Sequence, residues 1–301
     1  MPLACMLAAA LAINETFAHV SAPNSVAGRR LVGLSLWRPA NVEWLAPAED
    51  EPDLRYLPSR LWLIGLGHLG QAYLWGLGLL PYARPADVRL VLQDIDVITP
   101  STESTSILSD ANLVGVKKTR AMAAWSEARG FDASICERRF AADFKRGDAE
   151  PAVALCGLDN ALGRRALDQV GFDLVVEAGL GRGHRDFRTM RLHVLPGARA
   201  AADIWREREA VQAPPAPAYE DMLARGELDK CGMTLLAGKA VGAPFVGAVA
   251  ATLALAEVLR PLHGGVSHQL IDLDLMSPGF INATPHPTDF RTRNFGYSAA
   301  A

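Results

Sequence analysis

From Ser59 onward, short apolar runs alternate with stretches of helical periodicity. Arg60–Ile64, Val88–Gln93, Ala133–Glu137, Val153–Cys156 and Leu174–Ala178 read as strands. His68–Leu80, Lys117–Arg129 and Ala161–Val170 read as the helices between them. Strands that are apolar along their whole length belong to a mostly parallel sheet covered on both faces. The pattern therefore predicts an α/β fold: Rossmann-like, doubly wound, with helices on both sides of the sheet.

The flanks read differently. Residues 1–20 are Ala/Leu-rich and predict a buried helix, followed by a loop at Pro23-Asn24-Ser25 and a strand over Leu31–Trp37. Pro39, Pro47, Pro52 and the acidic run Glu49-Asp50-Glu51 make 38–57 a linker. The chain thus divides into an N-terminal helical extension with its linker (1–57) and a main domain (58–301). Within the latter, about 196–240 is rich in Pro, Ala and charge, including Pro214-Pro215-Ala216-Pro217, and reads as a long crossover loop. A small-residue helix over Pro244–Arg260 follows, with Pro244 suited to its first turn. It matches the N-terminal helix in kind, and the two suit packing on one another. Gln269–Leu273 reads as an edge strand, and the tail after Pro278 carries few signals.

Composition narrows the partners. A formal net charge of −3 and a pI near 6.2 disfavour a nucleic-acid partner held by phosphate electrostatics. The apolar start lacks a basic segment, and Asn14-Glu15-Thr16 stand where a cleavage site belongs. Its run from Pro2 to Ile13 falls short of the roughly 20 residues a bilayer needs, so no membrane is expected. Cys5, Cys136, Cys156 and Cys231 form no C-x-x-C pair, which argues against zinc and against a disulfide framework. A reduced, cytoplasmic setting is the expectation.

Gly65-Leu66-Gly67-His68-Leu69-Gly70 is a G-x-G-x-x-G directly after a strand and opening a helix. Such glycines let backbone N–H groups approach phosphates, and the helix start favours negative charge. The next strand ends in Asp94-Ile95-Asp96, where an acid accepts hydrogen bonds from ribose hydroxyls. A solvated strand end is the plainer reading of both. Up to this point a nicotinamide-dependent oxidoreductase and an ATP enzyme look alike. Gly115-Val116-Lys117-Lys118 opens the third helix, and Lys118 there is placed to hold a phosphate, with Lys117 read as solvated. Asp159 follows the fourth strand at the carboxyl edge, where an acid either organises Mg²⁺ or caps a helix.

Taken together these residues resemble the ThiF/MoeB superfamily, which includes the ubiquitin-activating enzymes. The resemblance covers about 58–275. It rests on the glycine loop, Asp94-x-Asp96, Gly115-x-x-Lys118, Asp159-Asn160-x-x-x-Arg164, and Cys231 ahead of a small-residue helix. It implies ATP-dependent adenylation of the C-terminal glycine of a ubiquitin-like or sulfur-carrier protein, a homodimer, and a conjugating enzyme downstream. Gly65, Gly67 and Gly70 would line the nucleotide, and Asp94 would hold the ribose beside Asp96. Lys118 would steady the phosphates, and Asp159 would manage Mg²⁺. Cys231 would accept the acyl group, with Lys230 lowering its pKa and Thr234 as a neighbouring hydroxyl; an ordinary buried thiol is the plainer reading. The family's paired zinc cysteines are missing.

Thr102 and Thr105 stand where the family has Asn and a triphosphate-binding Arg. Arg29, Arg30, Arg120 and Arg164 are candidate substitutes for that charge. Two other readings therefore stay open: a degenerate, non-catalytic relative that binds a ubiquitin-like partner or nucleotide, and an NAD-dependent oxidoreductase. Cys5, Cys136 and Cys156 read as buried thiols. His184, His193, His263, His268 and His286 have no metal-like spacing, and Trp62 and Trp75 read as core.

Overall fold

The structure, a computed structural model, describes residues 2–22, 26–41, 43–46, 51–181, 186–206, 225 and 242–301. Cys231, Lys230, Thr234, His184 and most of the 196–240 stretch lie outside these residues.

The strands are β1 (Tyr56–Pro58), β2 (Arg60–Ile64), β3 (Arg89–Gln93), β4 (Asp132–Cys136), β5 (Val153–Cys156), β6 (Leu174–Leu180), β7 (Thr189–Leu195), β8 (His268–Asp274), β9 (Ile281–Pro285) and β10 (Tyr297–Ala299). The helices are α1 (Pro2–Ser21), α2 (His68–Leu79), α3 (Pro100–Thr105), α4 (Lys118–Glu127), α5 (Ala161–Arg165), α6 (Ala201–Ile204) and α7 (Pro244–Leu262). An eight-stranded sheet runs in the order β4-β3-β2-β5-β6-β7-β8-β9. Its first five strands are parallel, and β7, β8 and β9 continue it antiparallel. The strand order reverses at β2, so the glycine loop leaves the sheet at the switch point where α/β folds place ligands.

Both faces are covered, as the apolar strands require. On one face Leu61, Leu63, Leu92, Leu155 and Val176 pack with Leu69 and Leu77 of α2, Val249 and Leu253 of α7, and Leu3 and Leu7 of α1. On the other, Trp62, Ile64, Ala154, Cys156 and Val175 pack with Phe140, Phe144, Leu167 and Ala201. The small-residue helices α1 and α7 do pack on one another.

Several expectations are corrected. The N-terminal helix is not buried all round: Leu3, Met6, Leu7, Ala10, Leu11 and Asn14 form its inner face, while Ala8, Ala9, Ala12 and Ile13 are exposed. Cys5 lies on that exposed side and Cys136 is half-buried, so Cys156 alone of the three is a buried thiol. The helix also runs on to Ser21, and by length and composition both α1 and α7 are long and apolar enough to cross a membrane; α7 is enclosed by protein. Leu31–Trp37 forms no strand, because the carbonyls of Leu36 and Trp37 accept from Arg260 instead of from a neighbouring strand. The predicted helix 161–170 stops at Arg165. Gln269–Leu273 is not at the edge: β9, formed by the tail after Pro278, covers it. The same tail supplies β10, which pairs with β1 at the end of the predicted linker. Strand β7 went unread, although its inward positions Met190, Leu192 and Val194 alternate as a half-buried strand should.

Candidate active site

The glycine loop is built by close approach. Gly65 adopts φ +82°, and an added Cβ on Gly70 would sit 2.0 Å from the Gly65 carbonyl oxygen. No side chain fits there without moving backbone. Gly70→Ala is accordingly expected to deform the loop: the unfolding midpoint drops, and any affinity for ATP falls by at least about tenfold. Calorimetry with ATP and a thermal scan check both. Gly67 is the N-cap of α2 and offers no side-chain cap, so the first-turn amides of that helix are left for an outside acceptor. From below, buried Gln71 braces the loop. Its amide donates to the Leu66 carbonyl, and its oxygen accepts from Leu108 N–H and Ser109 Oγ.

Asp94 is no solvated strand end. Its carboxylate accepts the Leu66 amide at 2.7 Å and the Asp96 amide at 2.8 Å, and its side chain is 8% exposed. Each oxygen keeps a second lone pair for a hydroxyl donor. The 97–117 hairpin then brings Lys118 over the acids: Ile98 and Gly115–Val116 exchange backbone bonds, Gly115 turns with φ +90°, and the Lys118 amide donates to the Asp96 carbonyl. Lys118 Nζ lies 3.2 Å from Asp96 Oδ2 and 3.8 Å from Asp94 Oδ2. Asp96 itself is largely exposed, so its hold on the ammonium is weak, while Lys118 and Asp94 are both shielded. Lys117 is not solvated as expected; its ammonium donates to the Ile95 carbonyl.

Asp159 is exposed beyond the end of β5 and makes no hydrogen bond or ion pair among the described residues. The helix cap predicted as its plainer role belongs instead to Asn160, whose Oδ1 accepts from the Gly163 amide at 2.7 Å. Among the described residues no three His, Cys, Asp or Glu side chains converge on a metal position. A divalent ion at this edge would need a ligand's own oxygens besides Asp159, which is how Mg²⁺ is commonly held.

The two threonines supply no charge and are spent locally. Thr102 forms a reciprocal capping box with Thr99, and the Thr105 hydroxyl donates to the Ser101 carbonyl at 2.7 Å. Of the four candidate arginines, Arg30 is taken by Glu15, Arg120 by Glu137, and Arg29 is exposed. Arg164 alone lies by the carboxyl ends of β5 and β6, with Nε 2.7 Å from Glu177 Oε1, an ion-pair distance without hydrogen-bond alignment. Glu177, almost wholly buried, also meets His193 Nδ1 at 3.2 Å. Sequence reading missed it, although an acid inside the apolar run Leu174–Ala178 was its signal. Next to it, burial pushes the Cys156 thiol up to about 12, which removes it as a nucleophile at neutral pH.

His68 is enclosed between the start of α2 and the segment returning into α7; a Cβ on Gly242 or Gly247 would collide with its ring. Burial pushes its imidazole down to about 4, against a hydrogen bond with the Ala243 backbone. It therefore stays neutral and adds no charge to the loop.

Comparison with known proteins agrees with this architecture. A family model described as the BilD C-terminal domain matches residues 57–265, and one described as the BilD N-terminal domain matches 1–36. A "Bacterial E1-like protein BilD" from Collimonas sp. (strain OK412) is 50% identical over 274 residues, covering 90% of this chain and 59% of its own. Among solved structures, E. coli MccB with MccA-N7isoASN aligns at 12% identity and a TM-score of 0.50, covering 76% of this chain and 64% of MccB. E. coli tRNA N6-threonylcarbamoyladenosine dehydratase aligns at 14% identity and a TM-score of 0.45, covering 68% and 86% respectively. The likeness to MccB concerns the fold alone. The chain spans about three fifths of the length of the curated relative that it matches.

Proposed function

This chain belongs to the BilD family, and from that premise we propose that it activates the C-terminal glycine of a ubiquitin-like or sulfur-carrier protein by ATP-dependent adenylation. The observation that carries the reading is the pocket of Gly65-Gly67-Gly70, Asp94 and Lys118. There an acid is tied to the loop's own amide and a cation stands at the mouth. A nicotinamide-dependent oxidoreductase has no obvious use for a lysine at that position.

In the proposed reaction a carboxylate oxygen of the carrier attacks the α-phosphorus of ATP. The bond to the bridging oxygen breaks, pyrophosphate leaves, and an acyl-adenylate forms. Asp94 would accept the ribose hydroxyls while the first-turn amides of α2 meet the phosphates. Lys118 would leave Asp96 for the phosphates as negative charge builds on the leaving group. Asp159, unengaged among the described residues, fits a Mg²⁺ held through one carboxylate and the substrate's phosphates; bound there, the ion would neutralise the departing pyrophosphate. Transfer to Cys231 would follow, its sulfur displacing AMP to give a thioester for a conjugating enzyme. Homodimerisation in a cytoplasmic setting belongs to the same proposal.

Pyrophosphate exchange tests it. With a carrier ending in glycine, exchange of labelled pyrophosphate into ATP is expected, and a carrier whose terminus is amidated should give none. Because Thr102 and Thr105 replace the family's Asn and Arg, a non-catalytic reading keeps a specific observation in its favour. ATP binding without exchange for any carrier decides for it, and tighter binding of NAD than of ATP decides for an oxidoreductase.

A further inference from the structure

Arg188 places a cation whose two shielded nitrogens have no hydrogen-bond partner among the described residues. It stands immediately before β7, which pairs antiparallel with β6, whose C-terminal end lies at the carboxyl edge of the sheet. Its Nε and Nη1 are shielded from solvent, yet neither donates a hydrogen bond among the described residues. Phe17 of α1 and Phe187 flank the guanidinium with ring centres at 5.5 and 5.9 Å. Glu15 is near enough to feel its charge, but that carboxylate is already occupied by Arg30 and by the Gly28 amide. Shielded charged donors without acceptors cost free energy, and natural folds keep few of them. Aromatic flanks hold the guanidinium in place without neutralising it. The result is a preorganised oxyanion receptor.

Its position says which oxyanion. Along the carboxyl edge the sheet presents Asp94 at β3, the glycine loop at β2, Asp159 after β5, and then Arg188 just before β7. A nucleotide stretched from Asp94 to Asp159 leaves the next place in that row for the second reactant. The walls there are phenyl rings: Phe17 also meets Phe245, at the start of the helix whose first turn encloses His68. Phenyl walls suit an extended peptide better than a hydrated triphosphate. We propose that Arg188 receives a carboxylate of the polypeptide substrate, terminal or side-chain, as its tail enters the site. The assignment rests on the adenylation reading for the identity of that substrate.

Titration of the ¹⁵N-labelled protein, followed at the amides of Phe187 and Thr189, tests it. The probes are acetyl-Gly-Gly, acetyl-Glu-Gly-amide, the neutral acetyl-Gly-Gly-amide, and tripolyphosphate. A saturable response to either carboxylate peptide is expected, with none to the neutral amide, and the responding peptide identifies the carboxylate. In Arg188→Met that affinity should fall about 10–100-fold. Its unfolding midpoint should hold or rise by about 2–4 °C, because shielded donors without partners among the described residues have been removed. Responses equal in Arg188→Met, equal with the neutral amide, or confined to tripolyphosphate overturn the assignment. So does a clear fall in midpoint for both Arg188→Met and Arg188→Lys, which makes the residue structural. Calorimetry with ATP on the unaltered chain separates the two levels. Peptide binding without ATP binding sinks the adenylation reading and leaves the receptor standing; ATP binding without peptide binding does the reverse.

Discussion

Lys118→Ala should cut ATP–pyrophosphate exchange by about 10²–10³-fold while leaving the fold intact. The expectation comes from charge counting. Asp94 and Asp96 put two carboxylates at the mouth of the pocket, and a nucleotide triphosphate brings more negative charge to the same place. Thr102 and Thr105 give nothing back, since their hydroxyls are spent inside α3. Arg164 is bound to Glu177 and Lys117 to the Ile95 carbonyl. Lys118 is the remaining cation at this mouth among the described residues, so its loss is not shared out. The pair it makes with exposed Asp96 contributes little to stability, whereas shielded Asp94 loses a nearby countercharge, so the thermal midpoint should fall only modestly. Lys118→Arg should recover only part of the activity, because a planar fork does not replace a compact ammonium. Exchange that survives Lys118→Ala within about tenfold would mean the phosphates bind elsewhere.

Why the parallel half was legible and the rest was not has a physical cause. A strand buried on both faces must be apolar throughout, so Arg60–Ile64, Val153–Cys156 and Leu174–Ala178 announced themselves, and the glycine loop between strand and helix came with them. The antiparallel half exposes one face and is more mixed: His193 and Arg191 interrupt β7, and β9 is a short Asn- and Pro-containing edge. Leu31–Trp37 had the composition of a strand, but backbone partners come from tertiary structure, and there they come from the Arg260 side chain. At the site, residue types and order were readable. What sequence could not give was which groups are already spent. Asn160 rather than Asp159 caps α5, and Lys117 is bonded rather than solvated. Cys231 lies outside the described residues, so its part rests on the resemblance.

Glu257→Ala should destabilise the chain by about 3–5 kcal/mol, a large share of a typical 5–15 kcal/mol total. Glu257 and Arg260 are one turn apart on α7, their side chains 0% and 1% exposed. The carboxylate holds the Arg260 guanidinium and accepts the His268 amide at 2.8 Å, with His268 Nδ1 3.1 Å away. Arg260 in turn donates to the Leu36 and Trp37 carbonyls, which ties the N-terminal segment to α7 and β8. Removing the acid leaves a buried guanidinium without its countercharge and loosens three elements together. The pH dependence has a definite sign. Burial pushes Glu257 up, but the charges of Arg260 and His268 outweigh it and hold the group below its ordinary 4.5. A carboxylate depressed in the folded state contributes stability above that value and loses it as pH falls through the folded pKa. Denaturant unfolding should therefore show a gap between wild type and Glu257→Gln that is full at pH 7 and narrows only below about pH 4.5. The double change Glu257→Leu with Arg260→Met removes both charges and should recover part of the loss, since no buried charge is then left without its counterpart. A Glu257→Ala cost under about 1 kcal/mol, or a gap that closes between pH 7 and 5, would show that this clamp does not hold the N-terminal segment in place.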